Sequence, residues 1–187
     1  MQPIFFSGSR SLVSLPAMVQ QRIFDNILQK NFPIVIGDAD GADSTLQAFF
    51  ATQYYDLVKV FCAGGKCRNN IGNWQIQTIA SSAKGRAFYT AKDVAMANVA
   101  NYGFVLWDGQ SIGSLNNIAE LLKQNKPSLV YFEPNQQFIK VVSEQDLNDL
   151  LQIADKGLAN TIIQKGSTYL KQLSKNGNFY QQNSLWN

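Results

Sequence analysis

Three short runs, each combining glycine with small polar side chains, hold most of the chemistry open to this chain: Gly8-Ser9-Arg10, Gly37-Asp38-Ala39-Asp40-Gly41-Ala42-Asp43 and Asp108-Gly109-Gln110-Ser111-Ile112-Gly113-Ser114. Glycine lets backbone N–H groups approach a bound group closely, and the first residues of a helix leave orphan N–H donors that favour an anion. Ser9, the loop amides and Arg10 have the makings of a phosphate site, with an ordinary tight turn and a surface arginine as the alternative. Asp108 follows the apolar Val105-Leu106-Trp107 directly, so its carboxylate needs partners. A ribose diol would serve, and so would the N–H groups of its own turn. In the middle run, Asp40 can equally be a turn or helix-capping residue.

Further candidates lie outside these runs. Lys66, Arg68, Asn69 and Asn70 put charge and amide groups on a loop after an apolar strand, and Lys92-Asp93 adds a cation and a carboxylate. With no histidine in the chain, acid–base work would fall to carboxylates, and Asp93, Asp108 and Glu120 are the candidates. Asp93 can also be read as the capping partner of Thr90. Neither of the first two loops fits Gly-x-Gly-x-x-Gly or Gly-Lys-Ser/Thr, which argues against ATP hydrolysis and ordinary NAD chemistry. No cofactor and no metal are expected. Cys62 and Cys67 alone do not complete a structural metal site and read as a reduced pair, Cys62 buried at a strand end.

The elements that must position these residues follow a rhythm. Apolar runs at 4–6, 33–37, 57–62, 102–107 and 128–132 read as buried strands, with helices between them. One helix starts at Pro16 and carries Val19, Ile23, Phe24, Ile27 and Leu28, ending near Asn31; the next has Ala42, Leu46, Phe49 and Phe50 on its inner face. The segment 63–83 reads as a functional loop with a short helix over 74–80, residues 86–89 as a short strand, and Thr90 to Asp93 as a capping box opening a helix to about Ala100. Another helix is expected over 114–125. Strand–helix alternation of this kind predicts a parallel, doubly wound α/β sheet covered on both faces, over 1–133.

From 134 to 187 the pattern changes to a mostly helical C-terminal extension. It has an edge strand at 138–142, a helix capped by Ser143 and Asp146 with Leu147, Leu150, Leu151 and Ala154, and a further helix holding Ile162, Ile163, Tyr169, Leu170 and Leu173. The polar end, 175–187, carries Phe179, Tyr180 and Trp186, which suit docking on the body or on a second subunit, leaving a homo-oligomer open. The 187 residues are 45 % hydrophobic, enough for one substantial core with an appendage. Net charge is +3 with no two basic residues adjacent, too diffuse a pattern for duplex DNA, so nucleic acid is not the expected partner. Without an 18-residue apolar stretch or signal-peptide pattern, no membrane association and a cytoplasmic location are expected.

Taken in order, Ile4 to Arg10, Gly37 to Asp43, Cys67-Arg68-Asn69-Asn70, Lys92 to Ala97 and Trp107 to Asn117 resemble the YpsA-related branch of the SLOG superfamily, which also holds LOG-like phosphoribohydrolases and the DNA-processing protein A fold. The resemblance covers about residues 3–133. It implies a Rossmann-like domain that senses or processes a nucleotide or nucleotide-derived small molecule. In that reading Gly8, Ser9, Arg10, Gly113 and Ser114 hold phosphate, Asp108 and Asn117 hold ribose or base, and Arg68 with Lys92 closes over charge. Gly37, Asp38, Asp40, Gly41, Ala42, Asp43, Asn69, Gly109 and Ser111 complete the expected ligand-binding set. LOG-like hydrolases carry Pro-Gly-Gly-x-Gly-Thr-x-x-Glu; here the glutamate position falls on Asn117, and Glu120 lies one turn later. The block is also similar to the Asp-Gly…Gly-Thr loop of nucleoside deoxyribosyltransferases. An N-glycosidic hydrolase or transferase acting on a nucleoside monophosphate is therefore the second reading. A single-stranded DNA binder using Tyr54, Tyr55 and Trp74 is the third.

Overall fold

A computed structural model describes residues 2–80 and 85–176, with the side chains of residues 86, 87 and 176 excepted. β1 (Ile4–Gly8), β2 (Ile34–Gly37), β3 (Val58–Ala63), β4 (Gln75–Ile79), β5 (Tyr102–Trp107), β6 (Ser128–Phe132) and β7 (Gln137–Val141) form one sheet in the order β4-β3-β2-β1-β5-β6-β7. All neighbours are parallel except β7, which returns antiparallel on β6. The helices are α1 (Ala17–Ile23), which runs on into a π-helical turn at Phe24–Leu28, α2 (Ala42–Thr52), α3 (Arg86–Val99), α4 (Ile112–Lys123), α5 (Glu144–Gln152), α6 (Leu158–Lys165) and α7 (Thr168–Asn176).

Alternation along β1 divides the core. Ile4 and Phe6 face a cluster with Val19, Ile23, Leu46 and Phe50 of α1 and α2. Phe5 faces the opposite side, with Met96, Ala97 and Leu121 of α3 and α4. Because both faces of a parallel sheet are covered, its strands are continuous apolar runs, and the architecture is Rossmann-like and doubly wound as expected. On the second face, Val105 and Trp107 pack with Ile112, Leu115 and Ile118 of α4 and with Leu147, Leu150, Leu158, Ile162, Leu170 and Leu173 of α5–α7, so the C-terminal helices share a core with α4. The Ser143–Asp146 capping box is present: the Ser143 hydroxyl accepts the Asp146 N–H at 3.2 Å, and the Asp146 carboxylate accepts the Ser143 N–H at 2.9 Å.

Several local expectations are corrected. Residues 75–79 are not helical but form the edge strand β4, paired in parallel from Lys59–Gln75 to Ala63–Ile79; the open edge of β3 and the β-branched Ile76, Thr78 and Ile79 favour extension. Residues 86–89 are helix rather than strand, and Thr90 lies inside α3 rather than at its start: Gly85, at φ +61°, precedes the first turn. Only a helix through this region brings Tyr89, Asp93 and Met96 to one side at spacings of three and four. α4 starts at Ile112, two residues before the expected start. The single expected helix over 162–173 is two, α6 and α7, separated at Gly166, where a Cβ would stand 2.6 Å from the Ile162 carbonyl oxygen. Cys62 and Cys67 are not a reduced pair: they form a disulfide, their Cα atoms 5.1 Å apart across the Gly64-Gly65 turn, a separation that suits a bridge. Phe179, Tyr180 and Trp186 lie outside the described residues. Among the described residues, no helix is long and apolar enough to cross a membrane.

Candidate functional site

β1 and β5 are neighbours, yet β1 hands its chain to α1 on one face and β5 hands its chain to α4 on the other. The connections part at the carboxyl ends of these two strands, and it is at such a point that an open α/β sheet forms its ligand crevice. A cavity of about 680 Å³ opens there. Its wall takes Ser7, Gly8, Arg10 and Ser11 from β1 and its loop, and Asp108, Ser111, Gly113, Ser114, Asn116, Asn117 and Glu120 from the β5 loop and α4. Tyr89, Lys92, Asp93 and Met96 come from α3, Asp43 and Arg68 from the side, and Lys165, Gly166 and Ser167 from the turn between α6 and α7.

The first and third glycine runs meet through Ser9. Its side chain is fully buried, its Oγ lies 3.3 Å from the Ser114 Oγ, and it accepts the Asp108 N–H at 3.1 Å. Ser9 thus ties the two loops together from behind the cavity wall. Asp108 is claimed by its own surroundings: Ser11 donates to Oδ2 at 2.6 Å, and the N–H groups of Gln110 and Ser111 donate to Oδ1 at 3.0 and 2.7 Å. Burial alone would push this carboxyl up, but those donors hold it below the usual carboxylate range. Between the two readings of Asp108, the turn is the one whose hydrogen bonds are present.

With that loop fixed, α4 presents its N-terminus to the cavity. The first intrahelical bond of this turn runs from the Leu115 N–H to the Ser111 carbonyl at 3.1 Å. The N–H groups of Ile112, Gly113 and Ser114 precede it, and Ser111 contributes no side-chain cap. Gly113 and Ser114 both line the cavity, so donors carrying the partial positive charge of a helix start stand at its edge.

The middle run builds a charge cluster beside the cavity. Asp38, 1 % exposed, accepts the Lys92 ammonium at 2.9 Å, Arg68 Nη2 at 2.8 Å and Nε at 3.3 Å, and the Arg68 backbone N–H at 3.1 Å. Burial would raise its pKa; the Arg68 and Lys92 charges prevail and bring it down to about 2. The charge over which Arg68 and Lys92 close is therefore the protein's own. Gly37 makes the cluster fit, since a Cβ there would run into the Asp43 carboxylate and stand 2.6 Å from the Lys92 Nζ. Asp43, buried and accepting the Ala39 N–H at 3.2 Å, is pushed up by burial, which Lys92 only partly offsets. Asn69 donates to the Asp38 carbonyl at 3.0 Å and to the Asp40 carboxylate at 2.9 Å, clamping the loop. The Arg68 guanidinium sits 4.9 Å over the Tyr89 ring.

Of the expected site residues, the cavity brings together Gly8, Arg10, Asp43, Arg68, Lys92, Asp93, Asp108, Ser111, Gly113, Ser114, Asn117 and Glu120. Ser9, Gly37, Asp38, Asp40, Gly41, Ala42, Asn69 and Gly109 do not line it and serve as supports. Asp93 is partly buried and makes no hydrogen bond or ion pair among the described residues; burial, only partly offset by Lys92, pushes it up to about 7. Sequence reasoning missed Ser7, Tyr89, Asn116 and the 165–167 turn. Ser7 had a signal, as the one polar side chain inside the Ile4–Gly8 strand. Asn116 holds the turn in place by accepting the Ser167 N–H at 2.8 Å. Among the described residues no group of three His, Cys, Asp or Glu could hold a metal ion. Comparison with known protein families, curated proteins and solved structures finds no match for this chain.

Proposed function

We propose that this protein binds a nucleotide or nucleotide-derived small molecule in the crevice between β1 and β5, its phosphate against the first turn of α4. The observation that carries the reading is the run of N–H groups at 112–114, which find no partner among the described residues, at the edge of a cavity of about 680 Å³ lined also by Arg10. A helix start and an arginine together favour an anion, and a cavity of this size takes a mononucleotide. This is also the ligand class implied by the resemblance to SLOG proteins. Calorimetric titration with a panel of nucleoside monophosphates, diphosphates and sugar phosphates tests it. At least one should bind the wild-type protein, and Arg10→Ala should weaken that binding about tenfold or more. Equal affinity in the variant, or no binding across the panel, would reject the assignment.

A second reading, hydrolysis of an N-glycosidic bond, is favoured by one feature. Asp93 has a carboxyl whose pKa is pushed up to about 7 and lies in the cavity wall, so it can give a proton to a departing base and take one from an attacking water near neutral pH. Asp108, held ionised by its donors, is not suited to proton transfer. Chromatography of the same incubations reads this directly, since hydrolysis releases free base.

A further inference from the structure

Two polar side chains in the cavity wall, each more than nine-tenths buried, find no hydrogen-bond partner among the described residues. Ser7 is 4 % exposed, lies at the inner end of β1, and its Oγ makes no hydrogen bond among the described residues. Asn117 is 9 % exposed, sits on the second turn of α4, and its side-chain amide makes none among the described residues. Asp93, across on α3, adds a carboxyl without a hydrogen bond or ion pair among the described residues. Strand alternation turns Ser7 to the same side of the sheet as Phe5, whose cluster includes Met96 of α3 and Leu121 of α4. The three groups therefore arrive from β1, α4 and α3 on one side of the sheet and line one cavity.

A buried polar group left unpaired is destabilising, and native proteins keep few of them. Neighbouring side chains of this site have partners: Asp38 has both an arginine and a lysine, Asp108 has three donors, and Asn116 holds a backbone N–H. Ser7, Asn117 and Asp93 are gathered on the α3 and α4 side of the cavity, and none of the three is a cation. Hydroxyl and carboxamide can each donate and accept, which suits an uncharged group that presents donors and acceptors side by side.

We infer that Ser7, Asn117 and Asp93 form a second subsite that hydrogen-bonds the sugar hydroxyls or the base edge of the ligand whose phosphate sits on α4. The inference rests on the nucleotide reading and adds to it the residues that would tell a nucleotide from a bare phosphate. The 2′,3′-diol of ribose and the amide-like edge of a nucleobase share the required chemistry.

Titration of wild type, Ser7→Ala, Asn117→Ala and Arg10→Ala with adenosine 5′-monophosphate, ribose 5-phosphate and inorganic phosphate tests the subsite, alongside the melting temperature of each ligand-free protein. Ser7→Ala and Asn117→Ala should each weaken adenosine 5′-monophosphate about tenfold and leave inorganic phosphate unchanged. Ser7→Ala should not lower the ligand-free melting temperature, because the hydroxyl it removes has no partner to lose. Ribose 5-phosphate weakened in parallel identifies the sugar as the group held; ribose 5-phosphate unaffected identifies the base. Adenosine 5′-monophosphate binding that weakens in Arg10→Ala but is unchanged in both other variants overturns the subsite and leaves the nucleotide reading standing. A Ser7→Ala protein that melts lower and binds as wild type makes the hydroxyl structural and overturns it as well. If none of the three probes binds the wild-type protein, the nucleotide reading falls and the subsite with it.

Discussion

Gly113 is not required by the fold. A Cβ there would meet nothing closer than the Ser111 Oγ at 3.9 Å, and its backbone needs no left-handed conformation. Within a helix, glycine is about 1 kcal/mol less favourable than alanine. Its presence at the second position of α4 makes sense as room for a ligand against the helix start. Gly113→Ala should therefore raise stability by about 1 kcal/mol, read from the urea midpoint, while nucleotide affinity falls. A variant that is more stable and binds equally well would show that the space is not used. Ser9 and Asp108 teach a related lesson. Both stood out in the sequence as a polar side chain beside glycine at a strand end, a pattern that a turn and a binding site share. Which of the two applies depends on a neighbour 97 to 105 residues away, Ser11 for Asp108 and Ser114 for Ser9, and spacing along the chain does not carry that.

Among the elements, the buried strands were legible because a parallel sheet covered on both faces writes itself as unbroken apolar runs. β4 was not, since Gln75 to Thr78 are exposed and no alternation of buried with exposed positions survives at a bare edge. α3 was misread at its start for a similar reason: its apolar face is set by Met96, Ala97 and Ala100, late in the helix, while Phe88 and Tyr89 pair with each other edge to face. The β3–β4 connection has no helix to brace it. The Cys62–Cys67 disulfide closes that loop immediately before Arg68, whose backbone and guanidinium hold Asp38. For so short a loop, chain entropy assigns the bridge about 2 kcal/mol. A dithiol reductant should lower the urea midpoint of the wild-type protein accordingly and leave that of Cys67→Ser unmoved. Equal midpoints for wild type with and without reductant would mean that the hydrogen bonds of Arg68, Asn69, Asn70 and Gln47 brace the loop without the bridge.

Across the whole molecule, the doubly wound topology gathers the polar ends of β1, β2, β3 and β5 at one edge, and the pH dependence of stability should record it. Asp38, lowered from 3.8 to about 2, favours the folded state above pH 4, and that contribution is lost as pH falls from 3.8 through 2. Asp93 has the opposite sign. The groups that act on it are Lys92 on its own helix, Asp43 at the start of α2, Asp38 at the end of β2 and Arg68 beyond β3, with Glu120 of α4 in the same cavity wall. Burial dominates and raises it from 3.8 to about 7, so between those values the folded chain keeps a proton that the unfolded chain has released. Stability then falls as pH rises through that window, since the folded state binds more protons there. Asp93→Asn removes the titration without removing the side chain. The stability difference between Asp93→Asn and wild type should be constant below pH 4, climb in favour of the variant from pH 4 to 7, and level off above. Melting temperatures across pH 3–8 measure it, and two parallel curves would mean that the Asp93 carboxyl is solvated and not the buried acid that the glycosidic reading requires.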